Sequence, residues 1–103
     1  LLLLVAPVFA CDGVPVAAEV KTVSSAAEGL TSASYLSGYT ERCALIQIRS
    51  NTIYYTLDST TGTPVATDYN GYPLDILQVR YPSRFRAIRV SSDATLKVTY
   101  FQW

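Results

Sequence analysis

The stretch RFRAIRVSSDATLKVTYF at residues 84–101 decides how the rest of the chain is interpreted. Its second half alternates between two sets of side chains: Ala94, Leu96, Val98 and Tyr100 on one face, and Thr95, Lys97, Thr99 and Phe101 on the other. A period of two residues predicts a β-strand. In the first half the alternation of apolar and polar residues shifts by one position between Ala87 and Ile88, and this shift predicts a β-bulge. With residues 91–93 as the turn, the two halves predict an antiparallel hairpin.

Alternation of the same kind recurs towards the N-terminus. Residues 14–23, VPVAAEVKTV, predict a strand that buries its valines, and Pro15 favours a position at the edge of a sheet. Ser24 to Thr40 is rich in small and polar residues and predicts irregular chain with one short strand. The faces are assigned as follows: Val14, Val16, Ala18 and Val20 inward, with Glu19 and Lys21 outward.

The middle of the chain predicts a hairpin, a long loop and a further strand. Two alternating segments flank Ser50-Asn51, and this turn signal predicts that they pair as a hairpin. Residues 58–73, DSTTGTPVATDYNGYP, are dense in turn-forming residues and predict a loop that projects from the sheet. The inward-facing sets are Ala44, Ile46 and Ile48; Ile53, Tyr55 and Leu57; and Leu77, Val79 and Tyr81.

Six or seven short strands separated by turns, with no clear helical segment, predict an all-β fold. The expected architecture is a single-domain antiparallel β-sandwich, jelly-roll-like, over residues 14–103. Residues 1–13 are expected to form an extended apolar N-terminal arm or a first strand.

Composition narrows the classes of function. The chain has 103 residues, 8 basic and 8 acidic side chains, and no histidine. Balanced charge gives no electrostatic reason to expect nucleic acid or an anionic membrane as a partner. Without histidine, a Ser-His-Asp triad, a Cys-His pair and a histidine-ligated zinc are all excluded. We therefore expect no enzyme, no cofactor and no metal.

The N-terminal run LLLLVAPVFA at residues 1–10 leaves three interpretations open. It resembles the apolar core of a secretory signal with Cys11 after a degenerate lipobox, although it lacks an initiating Met and a basic start. It could also be a first strand in the chain's own core, or an arm that lies on a neighbouring subunit. In the last case its interface residues are Leu1, Leu2, Leu3, Leu4, Val5 and Phe9.

The two cysteines, Cys11 and Cys43, are interpreted as buried free thiols in preference to a disulfide. Sequence spacing cannot show whether they pair, so the redox compartment stays open.

Three groups of side chains are candidates for a site. Residues 68–71, Asp-Tyr-Asn-Gly, predict an Asx-type turn in preference to a calcium loop, because no further carboxylates follow at the required spacing. Arg84 and Arg86 are expected to share a strand face. With Arg80 and Arg89 they predict a solvated face, or local pairing with Asp75 and Asp93, in preference to a phosphate site. The aromatic side chains predicted at an interface are Tyr69, Tyr72, Phe101 and Trp103.

Four segments carry a further signal: TIYYTLD at 52–58, TGTPVATDYNGYPL at 61–74, FRAIRVSSDATLKVTYF at 85–101 and, more weakly, VSSAAEGLTSASY at 23–35. Together they resemble small virion proteins of tailed bacteriophages over a little over half of the chain, and residues 1–20 lie outside the resemblance. Ser59 stands where that group commonly has Gly, and the loop from Asp58 to Pro64 is longer.

The resemblance implies a non-enzymatic β-sandwich that binds the capsid or tail, often as a homo-oligomer. The expected function is that of a capsid decoration or cement subunit in the virion, with copies of itself and major capsid or tail proteins as partners. The alternatives are a tail or neck accessory protein, or a secreted or lipid-anchored bacterial binding or fibre subunit at the cell surface.

Overall fold

The computed structural model describes residues 14–31, 36–37, 40–41, 43–58 and 62–101, which contain ten β-strands and no α-helix. A 3₁₀ turn at Pro82–Arg84 follows the eighth strand. The strands are β1 (Pro15–Val23), β2 (Glu28–Gly29), β3 (Leu36–Ser37), β4 (Thr40–Glu41), β5 (Cys43–Ser50), β6 (Ile53–Thr56), β7 (Tyr69–Gly71), β8 (Ile76–Val79), β9 (Arg86–Arg89) and β10 (Ala94–Phe101).

Eight of these strands form two antiparallel sheets of four. Sheet 1 has the order β1-β10-β5-β8 and sheet 2 the order β2-β9-β6-β7, while β3 and β4 pair separately. Along the chain the strands of the sandwich alternate between the two sheets, except for β6 and β7, which follow each other and pair in sheet 2. This is the strand order of a jelly roll. The predicted all-β sandwich is therefore confirmed.

Both predicted hairpins are wrong, because each of them is a connection between the two sheets. β5 pairs with β10 and β8, whereas β6 pairs with β7 and β9. Likewise β9 belongs to sheet 2 and β10 to sheet 1. Two strands that each bury one face can lie side by side in a sheet or face each other across a core. Alternation is the same in both arrangements, so the sequence pattern did not distinguish them.

The inter-sheet connections are tied together at one end of the sandwich. The backbone N–H of Arg89 donates to the carbonyl of Ser24 at 3.0 Å, after β1. The side-chain amide of Asn51, between β5 and β6, donates to the carbonyl of Asp93 at 2.8 Å, between β9 and β10. Asn51 has φ 61°, a left-handed conformation that asparagine tolerates better than most residues. The turns thus support one another across the two layers.

The core lies between the sheets and confirms the inward faces predicted for β5 and β10. Alternate residues of β10 are buried, and so are alternate residues of β5 from Ala44 to Ile48. The largest buried side chains are Tyr100, Phe85, Ile46, Ile48, Ile53 and Leu96. Removing an apolar surface of this size from water is the main driving force for folding.

The predicted bulge between Ala87 and Ile88 is absent, since β9 pairs with β6 in continuous register there. Ala87 faces the core and Ile88 the other side, so the slip in the apolar pattern reflects a half-covered outer face. The long loop predicted at 58–73 is also corrected, because its last part forms β7 and pairs with β6. Tyr81, predicted inward, is exposed after the end of β8.

β1 is a strand at the edge of sheet 1, as Pro15 predicted, but its predicted inner face is wrong. Val20 is 66% exposed, whereas Val23 is buried and Glu19 and Lys21 are half-buried on the inward side. An edge strand covers its inward residues only partly, so polar side chains can lie there. Glu19 does so by accepting hydrogen bonds from the hydroxyls of Tyr100 at 2.6 Å and Thr31 at 2.8 Å.

Cys43 is disulfide-bonded, so the prediction of free thiols is wrong for this residue. The sequence contains one other cysteine, Cys11, which lies outside the described residues. In β5, Cys43 belongs to the set opposite to the inward-facing Ala44, yet it is fully buried. Protein atoms therefore cover this end of sheet 1 on its outer side.

Candidate interaction surface

Four exposed apolar side chains occur close together in sequence from the start of β7 to the start of β8. We call them the β7–β8 surface: Tyr69, Tyr72, Leu74 and Ile76, which are 57%, 53%, 79% and 60% exposed. Burying such groups releases free energy on contact with a partner, and aromatic side chains are enriched among residues that dominate protein interfaces.

Tyr69 is held by an aromatic stack that reaches the core. Its ring lies 5.3 Å from that of Tyr55 at an interplanar angle of 23°, and Tyr55 lies 5.8 Å from the buried ring of Phe85 at 28°. Tyr55 of β6 and Tyr69 of β7 lie directly opposite each other in the sheet, and this position aligns their rings. The stack limits the rotation of Tyr69 before any partner binds, which reduces the entropy cost of binding.

Tyr55 also has an altered acidity. Burial raises the pKa of its hydroxyl above the ordinary value of 10.0, and the nearby Asp75 and Tyr69 raise it further. The hydroxyl is therefore neutral over the physiological pH range.

Two aspartates close the turns on either side of β7 in the same way. The N–H of Val65 donates to Oδ2 of Asp68 at 2.7 Å, and the N–H of Asp68 donates to the carbonyl of Val65 at 2.9 Å. Tyr72 and Asp75 repeat the exchange at 2.9 and 3.0 Å. Asp68 is thus a turn residue, but its turn precedes it, and residues 69–71 of the predicted turn form β7.

The second turn places Leu74 in solvent. Its N–H donates to the carbonyl of Ile48 at 2.7 Å, and its φ is 76°, in the left-handed region. With Pro73 second and a positive φ third, residues 72–75 have the features of a type II turn, in which Gly normally occupies the third place. A leucine there costs about 1–2 kcal/mol of backbone energy. Leu74 therefore bears a conformational cost while its side chain stays exposed.

Gly71 brings β7 against the core. A Cβ atom at this position would lie 2.5 Å from Cδ1 of Ile48 and 3.1 Å from Cγ1 of Ile53. No side chain fits without moving these two, so the sheets approach closely here because the residue is glycine.

The four arginines have separate roles. Arg89 forms the predicted salt bridge with Asp93. Arg86 donates to the carbonyls of Gly62 at 3.1 Å and Ala27 at 3.0 Å, which joins two connections to sheet 2. The guanidinium groups of Arg80 and Arg84 lie 5.9 and 5.4 Å from the ring centroid of Tyr81, within the range of cation–π attraction. Arg84 lies in the 3₁₀ turn, so the expectation that it shares a strand face with Arg86 is wrong.

The structure separates the predicted interface residues. Tyr69 and Tyr72 are exposed, as expected, and Phe101 is half-buried at the end of β10. Sequence reasoning missed Leu74 and Ile76. The Pro73-Leu74-Asp75 turn signal could have placed Leu74 at a tip, but its positive φ has no sequence signal in a leucine. The remaining candidates lie outside the described residues: Leu1, Leu2, Leu3, Leu4, Val5, Phe9 and Trp103.

Within the described ranges, no group of three or more His, Cys, Asp or Glu side chains is arranged to hold a metal ion. Also within them, no helix has the length and apolar character needed to span a bilayer. No protein-family model, curated protein or solved structure matches the chain.

Proposed function

We propose that the protein is a non-enzymatic structural subunit of a bacteriophage virion, a capsid decoration subunit that assembles with copies of itself. Its other partners are major capsid or tail proteins. The observation that carries the proposal is the β7–β8 surface. It presents pre-ordered apolar side chains on a small β-sandwich. A protein that functions by binding other proteins requires such side chains.

Two features of that surface favour a protein partner. Tyr69 is anchored on Tyr55 and Phe85, so it behaves as a fixed anchor rather than a mobile side chain. Leu74 is 79% exposed and has a strained backbone conformation. Residues with strained backbones cluster at functional sites, including those that bind partners. The resemblance of residues 52–101 to small virion proteins adds the particle as the setting.

The proposal is tested on purified particles. An antibody raised against the purified chain is used for immunogold labelling of tailed phage particles from the source of the sequence, and their proteins are quantified by mass spectrometry. Many copies per particle with label on the head are expected. Label on the tail would support the tail accessory alternative, and absence from particles would refute a virion function.

A second candidate is a secreted or lipid-anchored bacterial binding or fibre subunit, and the disulfide at Cys43 favours the secreted form, because a Cys11 sulfur that carries lipid cannot also pair with Cys43. Disulfides persist in exported proteins and on surfaces, and they are rare in a reducing cytosol. The intact mass of the native protein separates the candidates. A chain that starts at Cys11 would establish the second, as the secreted form without added lipid mass and as the lipid-anchored form with it, whereas a chain that retains residues 1–10 would exclude it.

A further inference from the structure

β8 is an edge of sheet 1 that has hydrogen-bonding groups available on one side. In the described part of the chain it pairs with β5 alone. Ile48 exchanges hydrogen bonds with Leu74 and Asp75, so on β8 it is Leu77 and Val79 that direct N–H and C=O towards β5. Ile76 and Gln78 direct theirs to the opposite side. An extended edge of this kind is a template for pairing with another chain.

The side chains along this edge are apolar at both ends. Leu74 and Ile76 of the β7–β8 surface lie at its start, and Tyr81, 48% exposed, lies just beyond its end. No lysine and no inward-pointing charge occurs in Ile76–Val79, although such residues commonly protect edge strands. The opposite edge, β1, differs in this respect, since it carries Pro15 and the inward Glu19 and Lys21.

Charge also differs between the two ends of β8. Asp75 precedes the strand, and Arg80 and Arg84 follow it beside Tyr81. Asp75 and Arg80 are five residues apart along an extended chain, which separates them by about 17 Å. When the strand is placed antiparallel to a copy of itself, each acidic end lies beside a basic end, whereas a parallel placement would bring like charges together. The strand is thus complementary in charge to its own two-fold image.

We propose that β8 pairs antiparallel with β8 of a second copy across a two-fold axis at Gln78, which joins the two copies of sheet 1 into one continuous sheet. Gln78 then lies opposite Gln78 of the second copy, and Ile76 lies opposite its Arg80. Ile76 and Gln78 direct their N–H and C=O away from β5, as this register requires. Pro82, which has no N–H, ends the ladder. Tyr72 and Leu74 of each copy pack near Tyr81 of the other.

This β8 contact rests on the proposed self-assembly and identifies the surface through which two copies associate. It does not depend on any other protein of the particle. The test therefore separates the two proposals, because a chain that associates through another surface contradicts the β8 contact and leaves self-assembly standing.

The test is sedimentation of the full chain over a dilution series. The wild type is expected to form a dimer, and Ile76→Lys is expected to raise its dissociation constant by about ten-fold or more, since a lysine on the edge resists pairing. The matched control is Val20→Lys on β1, where the replaced side chain is 66% exposed compared with 60% for Ile76. This control should leave the dissociation constant unchanged.

Two further measurements sharpen the result. Arg80→Glu should also weaken the dimer, because a carboxylate would then lie beside Asp75 of the second copy. Amide exchange at Ile76 and Gln78 should slow as the protein concentration rises. Circular dichroism and thermal unfolding verify that each variant is folded. A monomeric wild type, an unaffected Ile76→Lys dimer, or equal effects of Ile76→Lys and Val20→Lys would overturn the proposal.

Discussion

At the scale of the residue, Glu19 shows how a carboxylate is accommodated on the inward side of an edge strand. It accepts the hydroxyl of Tyr100, whose side chain is fully buried, and that of the exposed Thr31. We expect Tyr100→Phe to lower the free energy of unfolding by about 2 kcal/mol, because a hydrogen bond to a charged group is lost. Urea titration measures it. Thr31→Ala is the control and should cost less than about 1 kcal/mol; equal losses would contradict the argument.

Tyr55 predicts a dependence of stability on alkaline pH. Its pKa is raised in the folded state, chiefly by burial, so the folded protein holds this proton more tightly than the unfolded chain. The resulting stabilisation is complete below the ordinary pKa of 10.0 and is lost as the pH rises through the folded value. Tyr55→Phe should lose less stability than the wild type in that alkaline range, as measured by urea unfolding at a series of pH values. If the free energy of unfolding changes with pH equally in the variant and the wild type, Tyr55 does not contribute to the alkaline loss of stability.

At the scale of the element, Gly71 fixes how closely β7 approaches the core. Gly71→Ala should lower the free energy of unfolding by about 1–3 kcal/mol, because the new methyl group overpacks against Cδ1 of Ile48. The matched test is the double variant with Ile48→Val, which removes that atom. The two losses should then sum to more than the loss of the double variant, and strict additivity in denaturant unfolding would count against the contact.

The element scale is also where sequence reasoning reached its limit. The alternation in β5 and β10 identified the buried side chains correctly, but the partners of each strand were wrong. Ser50-Asn51 and residues 91–93 are short turns that suit a hairpin, and here both turns cross from one sheet to the other. Strand pairing depends on which surfaces meet across the core, and a single segment does not encode that.

At the scale of the whole molecule, the apolar residues 1–10 and the sandwich are expected to have separable roles. We predict that deleting residues 1–10 abolishes particle attachment, or oligomerisation beyond the β8-paired dimer, and leaves the sandwich folded. The reason is that an arm lying on a neighbouring subunit would stabilise the assembly, whereas the sandwich is held by the core between its two sheets. Sedimentation and circular dichroism test the two halves of this prediction. A truncated chain that assembles as the wild type does would refute it, and an unfolded one would show that the segment belongs to the fold.

The sequence alone determined the all-β class, the buried faces of β5 and β10, the edge position of β1 and two exposed tyrosines. These follow from local rules: a period of two residues, the missing N–H of proline, and turn-forming residues around Tyr69 and Tyr72. Only the tertiary structure decided the pairing of the strands, the outward valines of β1, the disulfide at Cys43 and the exposed Leu74. Each of these depends on residues distant in sequence, because strand pairing, a disulfide and the hydrogen bond from Leu74 to Ile48 all join segments that are far apart in the chain.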